Sequence, residues 1–320
     1  MTNRPARRAL GKTGLVVSPL TLGGGPLGSM PENFGYEVAE RDAVELVRAT
    51  LDSDIRVIDT ANGYSGGRSE QRIGFGIAEH GGLPDDFVVM TKVDSAGSDY
   101  SGERVRHSLA ESAERLGIGH PLPVVFLHDP EFHDFDEMTA PGGAVDALVQ
   151  AKEDGLVAHI GLAGGNVHQM ARYLELGVFE VLLVHNRWTL VDRSAASIIE
   201  YATEHEIAVV NAAVLGGGIL ADRTGTVTSY GYRPASEATL QAVVAMRRVC
   251  EAWGTDLATA AVRFSTRDPR IATTIVGVSK VARLAPTIEA STLDLPDEFW
   301  AELEGMLPAP EHWLDNQPNN

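Results

Sequence analysis

Cysteine is almost absent: Cys250 stands alone, which rules out an intrachain disulfide, and it lies in a helix-like stretch with no base beside it to make it a nucleophile. Lysine and arginine are scarce as well, 26 against 44 aspartates and glutamates, for a formal net charge of −18. Nucleic acids and anionic membranes are bound mainly through Lys and Arg, so neither is an expected partner. No apolar run reaches membrane-spanning length, and the basic start MTNRPARRALGKTG lacks a signal peptide's apolar core. The cytoplasm is the expected location. No Pro/Ser-rich linker, low-complexity tract or heptad run divides the 320 residues, so residues 1–320 are read as a single domain. A GxGxxG after the first strand, a nucleophile elbow and a P-loop are all missing. What remains is catalysis by proton relay, with the hard chemistry supplied by a cofactor.

The chain is instead rich in pairs of a short apolar run and an amphipathic stretch. The apolar runs fall at 20–23, 56–60, 87–93, 124–128, 158–163, 181–184, 208–212 and 273–278. Helical stretches lie between them at 39–51, 69–79, 102–116, 144–153, 167–176, 193–205 and 236–253. In the third, Val105, Leu109, Ser112 and Leu116 mark one buried face at i, i+4 and i+7 spacing. This alternation predicts parallel strands with crossover helices. The expected fold is α/β, a (β/α)8 TIM barrel, with an open doubly wound sheet as second choice. A hairpin is expected over 10–17, and extra C-terminal helices outside the repeat at 256–266 and 297–306.

Catalytic groups of such a barrel sit at the C-terminal ends of the strands. The second strand ends in Asp59, the third carries Lys92, the fourth ends in His128 and the sixth runs into His185, Asn186 and Arg187, while Tyr64 follows Asp59 in a glycine-rich loop. An ammonium in a Val/Met-rich strand is costly unless a carboxylate partners it, and Asp59 on the neighbouring strand is that partner. An isolated Asp–Lys pair reads as structural. Joined by Tyr64 and His128 at one mouth, it reads as a proton-transfer site in which a nearby ammonium lowers the phenol's ordinary pKa of about 10. The acidic loop HDPEFHDFDE, with His128, His133, Asp134 and Asp136, matches no zinc or EF-hand spacing and is read as solvated, with no metal.

With Asp59, Tyr64, Lys92 and His128 in place, the chain resembles the aldo-keto reductase superfamily. The resemblance spans LGKTGLVVSPLTLGGG, DTANGYSGGRSE, the TK of VMTKVD, LHDP and IVGVSKVARL, in that order. YSGGRSE, LHDPE, NRWTLVDR and DEFWAELEGML look more like its aldose 1-dehydrogenase and pyridoxal 4-dehydrogenase branch. The resemblance implies an Asp–Tyr–Lys–His tetrad and NAD or NADP as cofactor. It also implies cofactor contacts from Leu215, Gly216 and Gly218 at the pyrophosphate, and from Gly277, Ser279 and Arg283 at the adenosine end. The family's Ser–Asn pair reads Ala163–Gly164 here and its glutamine reads His185, so the nicotinamide carboxamide is expected on Asn166 or Asn186. Trp188 stands where a tyrosine is usual, as a nicotinamide wall or as core. Ala212 and Ala213 replace a stacking aromatic, and Pro286 and Thr287 the usual acidic and amide residues near adenine. The implied reaction moves a hydride between nicotinamide and a carbonyl or hemiacetal carbon, foremost oxidation of an aldopyranose at C1 to its lactone. Pyridoxal oxidation, general aldehyde or ketone reduction, and a non-catalytic nicotinamide-sensing subunit are the alternatives. Asp99, Tyr100, Arg187 and Tyr230 are candidate sugar contacts or exposed loop residues. Partners are small molecules, with the chain a monomer or homo-oligomer.

Overall fold

The apolar runs become strands buried on both faces, because each lies between a packed barrel interior and a helix. The computed structural model describes residues 6–31 and 35–316; residues 1–5 of the basic N-terminus lie outside the described residues. A short hairpin, β1 (Arg8–Ala9) and β2 (Val16–Val17), starts two residues before the predicted one. The barrel strands are β3 (Leu20–Gly23), β4 (Val57–Asp59), β5 (Val88–Val93), β6 (Leu122–His128), β7 (Val157–Gly164), β8 (Val181–His185) and β9 (Ala208–Ala212), closed by β12 (Ile271–Gly277). All eight pair in parallel, and β12 returns to β3 with Gly277 opposite Gly23. The small hairpin β10 (Ser229–Tyr230) and β11 (Arg233–Pro234) follows β9.

Helices α1 (Glu40–Leu51), α2 (Arg68–His80), α3 (Gly102–Leu116), α4 (Phe135–Thr139), α5 (Ala144–Glu153), α6 (Val167–Leu174), α7 (Ala196–Glu204), α8 (Glu237–Ala252), α9 (Leu257–Arg267), α10 (Leu284–Thr292) and α11 (Asp297–Glu304) complete the chain. Several open on a side-chain oxygen that accepts an otherwise unpaired backbone N–H: Ser101 before α3, Asn166 before α6, Ser236 before α8 and Asp256 before α9. Alternate strand residues divide the apolar side chains into two layers. Val57, Val88, Met90, Val124, Phe126, Val181, Leu183, Val210 and Ile275 fill the barrel interior, where Leu10 and Val17 of the hairpin join them. The Arg8 guanidinium bonds the carbonyls of Thr266, Asp268 and Ile271, so the hairpin covers the N-terminal end and leaves the other end free for chemistry.

Two helix assignments differ from expectation. Stretch 236–253 was expected in the repeat and 256–266 outside it, yet α9 packs against β12 and α10 while α8 packs against α11. Both stretches are amphipathic and of crossover length, so periodicity alone does not say which one faces the strand. Met246, Val249 and Cys250 of α8, Phe299, Trp300 and Leu303 of α11 and Leu314 form a second apolar cluster outside the barrel. Among the described residues no helix is long and apolar enough to cross a membrane.

Candidate active site

The tetrad assembles from neighbouring strands because Asp59, Lys92 and His128 lie at or near the C-terminal ends of β4, β5 and β6. Asp59 is the last residue of β4 and Lys92 lies near the end of β5, both almost wholly buried. Lys92 Nζ donates to Asp59 Oδ1 at 2.9 Å, to Asp59 Oδ2 at 2.8 Å and to the Thr60 carbonyl at 2.6 Å. Burial alone would push the ammonium toward neutrality, but Asp59 and Tyr64 outweigh it and raise Lys92 above its ordinary pKa. Burial likewise raises Asp59, with Lys92 opposing. The ammonium lies against both carboxylate oxygens, the geometry of an ion pair.

Tyr64 reaches this pair from the turn between β4 and α2. Its hydroxyl is 3.3 Å from Lys92 Nζ, and the ammonium lies 4.7 Å from the ring centroid. Ser65, Gly66 and Gly67 follow at φ 54°, 63° and 87°, three left-handed residues that swing the chain into α2. At Gly67 a Cβ would run into the Arg115 guanidinium, so glycine answers both a conformational and a steric demand there. Burial pushes the Tyr64 phenol well above its ordinary pKa, and Lys92 only partly offsets this. The expected lowering by Lys92 is therefore corrected: desolvation is the larger effect, and the phenol is held protonated.

His128 ends β6 with its ring edge-on to Tyr64, centroids 5.7 Å apart. Its Nδ1 is 2.6 Å from Asp94 Oδ1, while Asp94 Oδ2 accepts the Gly63 N–H at 2.6 Å. One carboxylate thus holds both the histidine and the loop that carries the tyrosine. Burial disfavours the imidazolium, but Asp94 and Asp129 outweigh it and raise the His128 pKa. Asp94 closes the VMTKVD segment, and strand alternation places it on the same face as Lys92, a signal the sequence already carried.

Beside His128 the acidic loop is not simply solvated. Asp129, at φ 46°, turns its carboxylate back to within 3.7 Å of His128 Nε2 and 3.8 Å of His185 Nε2. Glu131 Oε1 accepts the N–H groups of Gly165 at 2.5 Å and Asn166 at 3.0 Å. Asp129, Glu131 and His185 are the one trio among the described residues whose ligand-type atoms all lie within 4.8 Å of one another. Asp134 caps α4. Of the two expected carboxamide contacts, Asn166 caps α6 through Oδ1, and Asn186 is wholly buried with its amide 3.1 Å from His185 Nδ1 and its Oδ1 without a hydrogen-bond partner.

Three of the four proposed sugar contacts are neither exposed nor free. The Tyr100 hydroxyl donates to the Val93 carbonyl at 2.6 Å and accepts the His128 N–H at 2.9 Å. Arg187 is buried against Asp315, and Tyr230 donates to the Asn186 carbonyl. Asp99 is exposed. Trp188 packs with Phe264 outside the barrel and donates to Asp268 Oδ2 at 3.1 Å, so of its two readings core packing holds.

The two expected cofactor segments come to the tetrad end of the adjacent strands β9 and β12. Leu215 precedes the turn Gly216–Gly218, where Gly217 and Gly218 have open space in place of a side chain. Gly277 ends β12, and Ser279 and the exposed Arg283 lead into α10. Open glycine backbone at the end of β9 leaves N–H groups that a phosphate can approach.

Residues 19–308 match the model of the Aldo/keto reductase family. The chain is 30% identical to L-galactose dehydrogenase of Arabidopsis thaliana, covering 94% of this chain and 93% of that one. It is 28% identical to D-threo-aldose 1-dehydrogenase of a Pseudomonas species, covering 92% and 95%. To pyridoxal 4-dehydrogenase of Microbacterium luteolum it is 29% identical, covering 94% and 98%. A tetrad at the C-terminal end of a closed eight-stranded barrel, matched along nearly its whole length, places this chain in the aldo/keto reductase family, as an NAD(P)-dependent oxidoreductase.

Proposed function

We propose that the enzyme oxidises an aldopyranose at C1 to the corresponding lactone, with Asp59, Tyr64, Lys92 and His128 as its catalytic tetrad. The observation that carries this reading is the buried Asp59–Lys92 pair lying against the Tyr64 hydroxyl, next to a histidine held by its own carboxylate. The cofactor, when bound, supplies the hydride exchange. The protein handles the proton. In oxidation the Tyr64 oxygen takes it from the C1 hydroxyl, and Lys92 stabilises the phenolate that must form first. Asp59 keeps Lys92 charged and in place. His128 orients the substrate oxygen through the ring nitrogen not bound to Asp94. In aldehyde reduction the same phenol donates. Leu215, Gly216 and Gly218 would hold the pyrophosphate, and Gly277, Ser279 and Arg283 the adenosine end. With Arg283 and Lys280 as exposed cations rather than a dedicated clamp, discrimination between NAD and NADP stays below about 100-fold.

Relatives acting on aldoses support the sugar reading, and the pyridoxal dehydrogenase makes pyridoxal, which also forms an internal hemiacetal, the second substrate class. Steady-state kinetics with L-fucose, D-arabinose, L-galactose and pyridoxal, followed at the nicotinamide absorbance, test both. Inertness of all four beside efficient reduction of simple aldehydes would sink the substrate assignment, and tight cofactor binding without any turnover would favour a sensor. Tyr64→Phe is expected to lower turnover by roughly 10²-fold or more while cofactor affinity stays the same.

A further inference from the structure

Helix α3 carries a polar stripe beside its apolar one. Arg104, Ser108, Glu111 and Arg115 recur at i, i+4, i+7 and i+11, so one side of the helix presents two guanidiniums, a hydroxyl and a carboxylate. The stripe bonds Asn62 and Asp94, the residues that stand just before Tyr64 and directly against His128. Arg104 joins the two through one side chain: its Nε donates to the Asp94 carbonyl at 3.1 Å and its Nη2 to Asn62 Oδ1 at 3.1 Å. Ser108 backs this link, accepting the Asp94 N–H on Oγ at 3.1 Å and Asn62 Nδ2 on its carbonyl at 3.2 Å.

The guanidinium is itself fixed from the far side. Glu111 Oε1 accepts Arg104 Nη1 at 3.2 Å, and Oε2 accepts Nη2 at 2.6 Å together with Asn62 Nδ2 at 3.0 Å. Only one orientation of the Asn62 amide satisfies this pattern, oxygen to the guanidinium and nitrogen to the carboxylate. Arg115 completes the grip by donating to the Asn62 carbonyl at 3.1 Å.

A closed ring results. Asp94 Oδ2 accepts the Gly63 N–H at 2.6 Å, and Arg104 closes the circuit from the Asp94 carbonyl back to Asn62. The ring holds the carboxylate that binds His128 and the two residues that precede Tyr64, so it governs how the phenol stands to the imidazole, 5.7 Å between centroids. The Arg104 side chain is only 12% exposed, and a partly buried ion pair is weak ground for stability because desolvation offsets much of its attraction. A planar fork that bonds three partners at fixed angles is a geometric device.

We propose that Arg104 is a positioning residue of the proton relay: it locks the Tyr64 loop to the Asp94 carboxylate that holds His128, so that phenol and imidazole meet on one substrate oxygen. The inference rests on the tetrad reading above and adds a residue that acts only through others.

Turnover of Arg104→Lys and Arg104→Met, each made in the parent and in Tyr64→Phe, tests it. The substrate is whichever of L-fucose, D-arabinose, L-galactose and pyridoxal the parent oxidises, or glyceraldehyde in reduction if it oxidises none. Lysine keeps the charge but cannot bond Asp94, Asn62 and Glu111 at once. Each replacement is expected to lower kcat about tenfold or more, since a small misplacement of reacting groups costs at least that much. The KM and the cofactor dissociation constants should shift less than about threefold, because nothing that binds is removed. In Tyr64→Phe, which has no phenol to position, the same replacements should change kcat less than about threefold, as residues that act as a unit are not additive. Equal losses in both backgrounds would overturn the proposal and make Arg104 a general support of the fold. So would Arg104→Lys at the parent's kcat, which would make charge alone sufficient, and so would a lower thermal midpoint with kcat per folded molecule unchanged. Arg104→Lys alone decides if Arg104→Met does not fold. A Tyr64→Phe that keeps the parent's turnover would bring down the tetrad itself and the positioning role with it, a result read before any Arg104 variant and separate from equal losses.

Discussion

Asp94 holds both the His128 ring and the Gly63 N–H, so its removal should be felt in stability as well as in the site. His128 has a folded-state pKa raised above its unfolded value, so its contribution is fully present below the unfolded histidine pKa of about 6.5 and is lost as pH rises through the folded value. The folded pKa of Asp94 is depressed, so its contribution is present above the unfolded value of about 3.9 and lost as pH falls. The window of full effect lies between those two limits. Asp94→Asn is expected to cost about 1–3 kcal/mol at pH 6, with a distinctly smaller cost at pH 9, read from denaturant midpoints at both pH values. The raised Tyr64 pKa carries a kinetic counterpart of opposite sign. Oxidation needs the deprotonated phenol, so its kcat should climb with pH across the alkaline range while reduction does not; a flat oxidation profile from pH 7 to pH 10 would count against Tyr64 as the base.

The helices are set as tightly as the strands. Gly74 lies in α2 where a Cβ would be driven into the Arg115 carbonyl at the end of α3, a contact with backbone that no rotamer change relieves. Alanine is the better helix former by about 1 kcal/mol, so propensity and packing oppose each other at this position. Packing should win: Gly74→Ala is expected to destabilise the fold by about 2 kcal/mol, and an unchanged or raised denaturant midpoint would show that the helices can move apart. The same opposition explains α8 and α9. Hydrophobic spacing identified both as helices, but their places were decided by which apolar face met β12 and which met α11.

Across the whole molecule, the C-terminal segment returns to brace the mouth. Asp315 Oδ1 accepts from Arg187 Nε at 3.2 Å and Nη2 at 3.0 Å, its Oδ2 accepts the Val167 N–H at 2.9 Å, and the neighbouring Leu314 N–H donates to Asp192 Oδ2 at 2.8 Å. The Arg187 and Asp315 side chains are only 8% and 5% exposed, so breaking the pair strands a buried guanidinium. Asp315→Ala is expected to cost about 3–5 kcal/mol in stability, with Arg187→Met in the same background recovering part of it. Thermal unfolding of the single and double variants checks the sign. Recovery would show that the stranded charge, rather than the lost tail contact, is what destabilises.

Strand count, parallel order and the convergence of Asp59, Tyr64, Lys92 and His128 were legible because they depend on local signals: short apolar runs alternating with amphipathic stretches, and polar groups at the ends of those runs. His185 and the carboxylates of LHDPE were visible as letters, but not as one cluster, because a left-handed turn at Asp129 and the fixing of Glu131 by the β7 turn bring them together. The burial of Tyr100, Arg187 and Tyr230 was equally out of reach, since each answers to partners on other elements, from the Val93 carbonyl to Asp315 at the far end of the chain. The ionisation of Tyr64 went further and changed sign. A nearby ammonium can be inferred from spacing, whereas the desolvation that outweighs it exists only once the barrel has closed around the phenol.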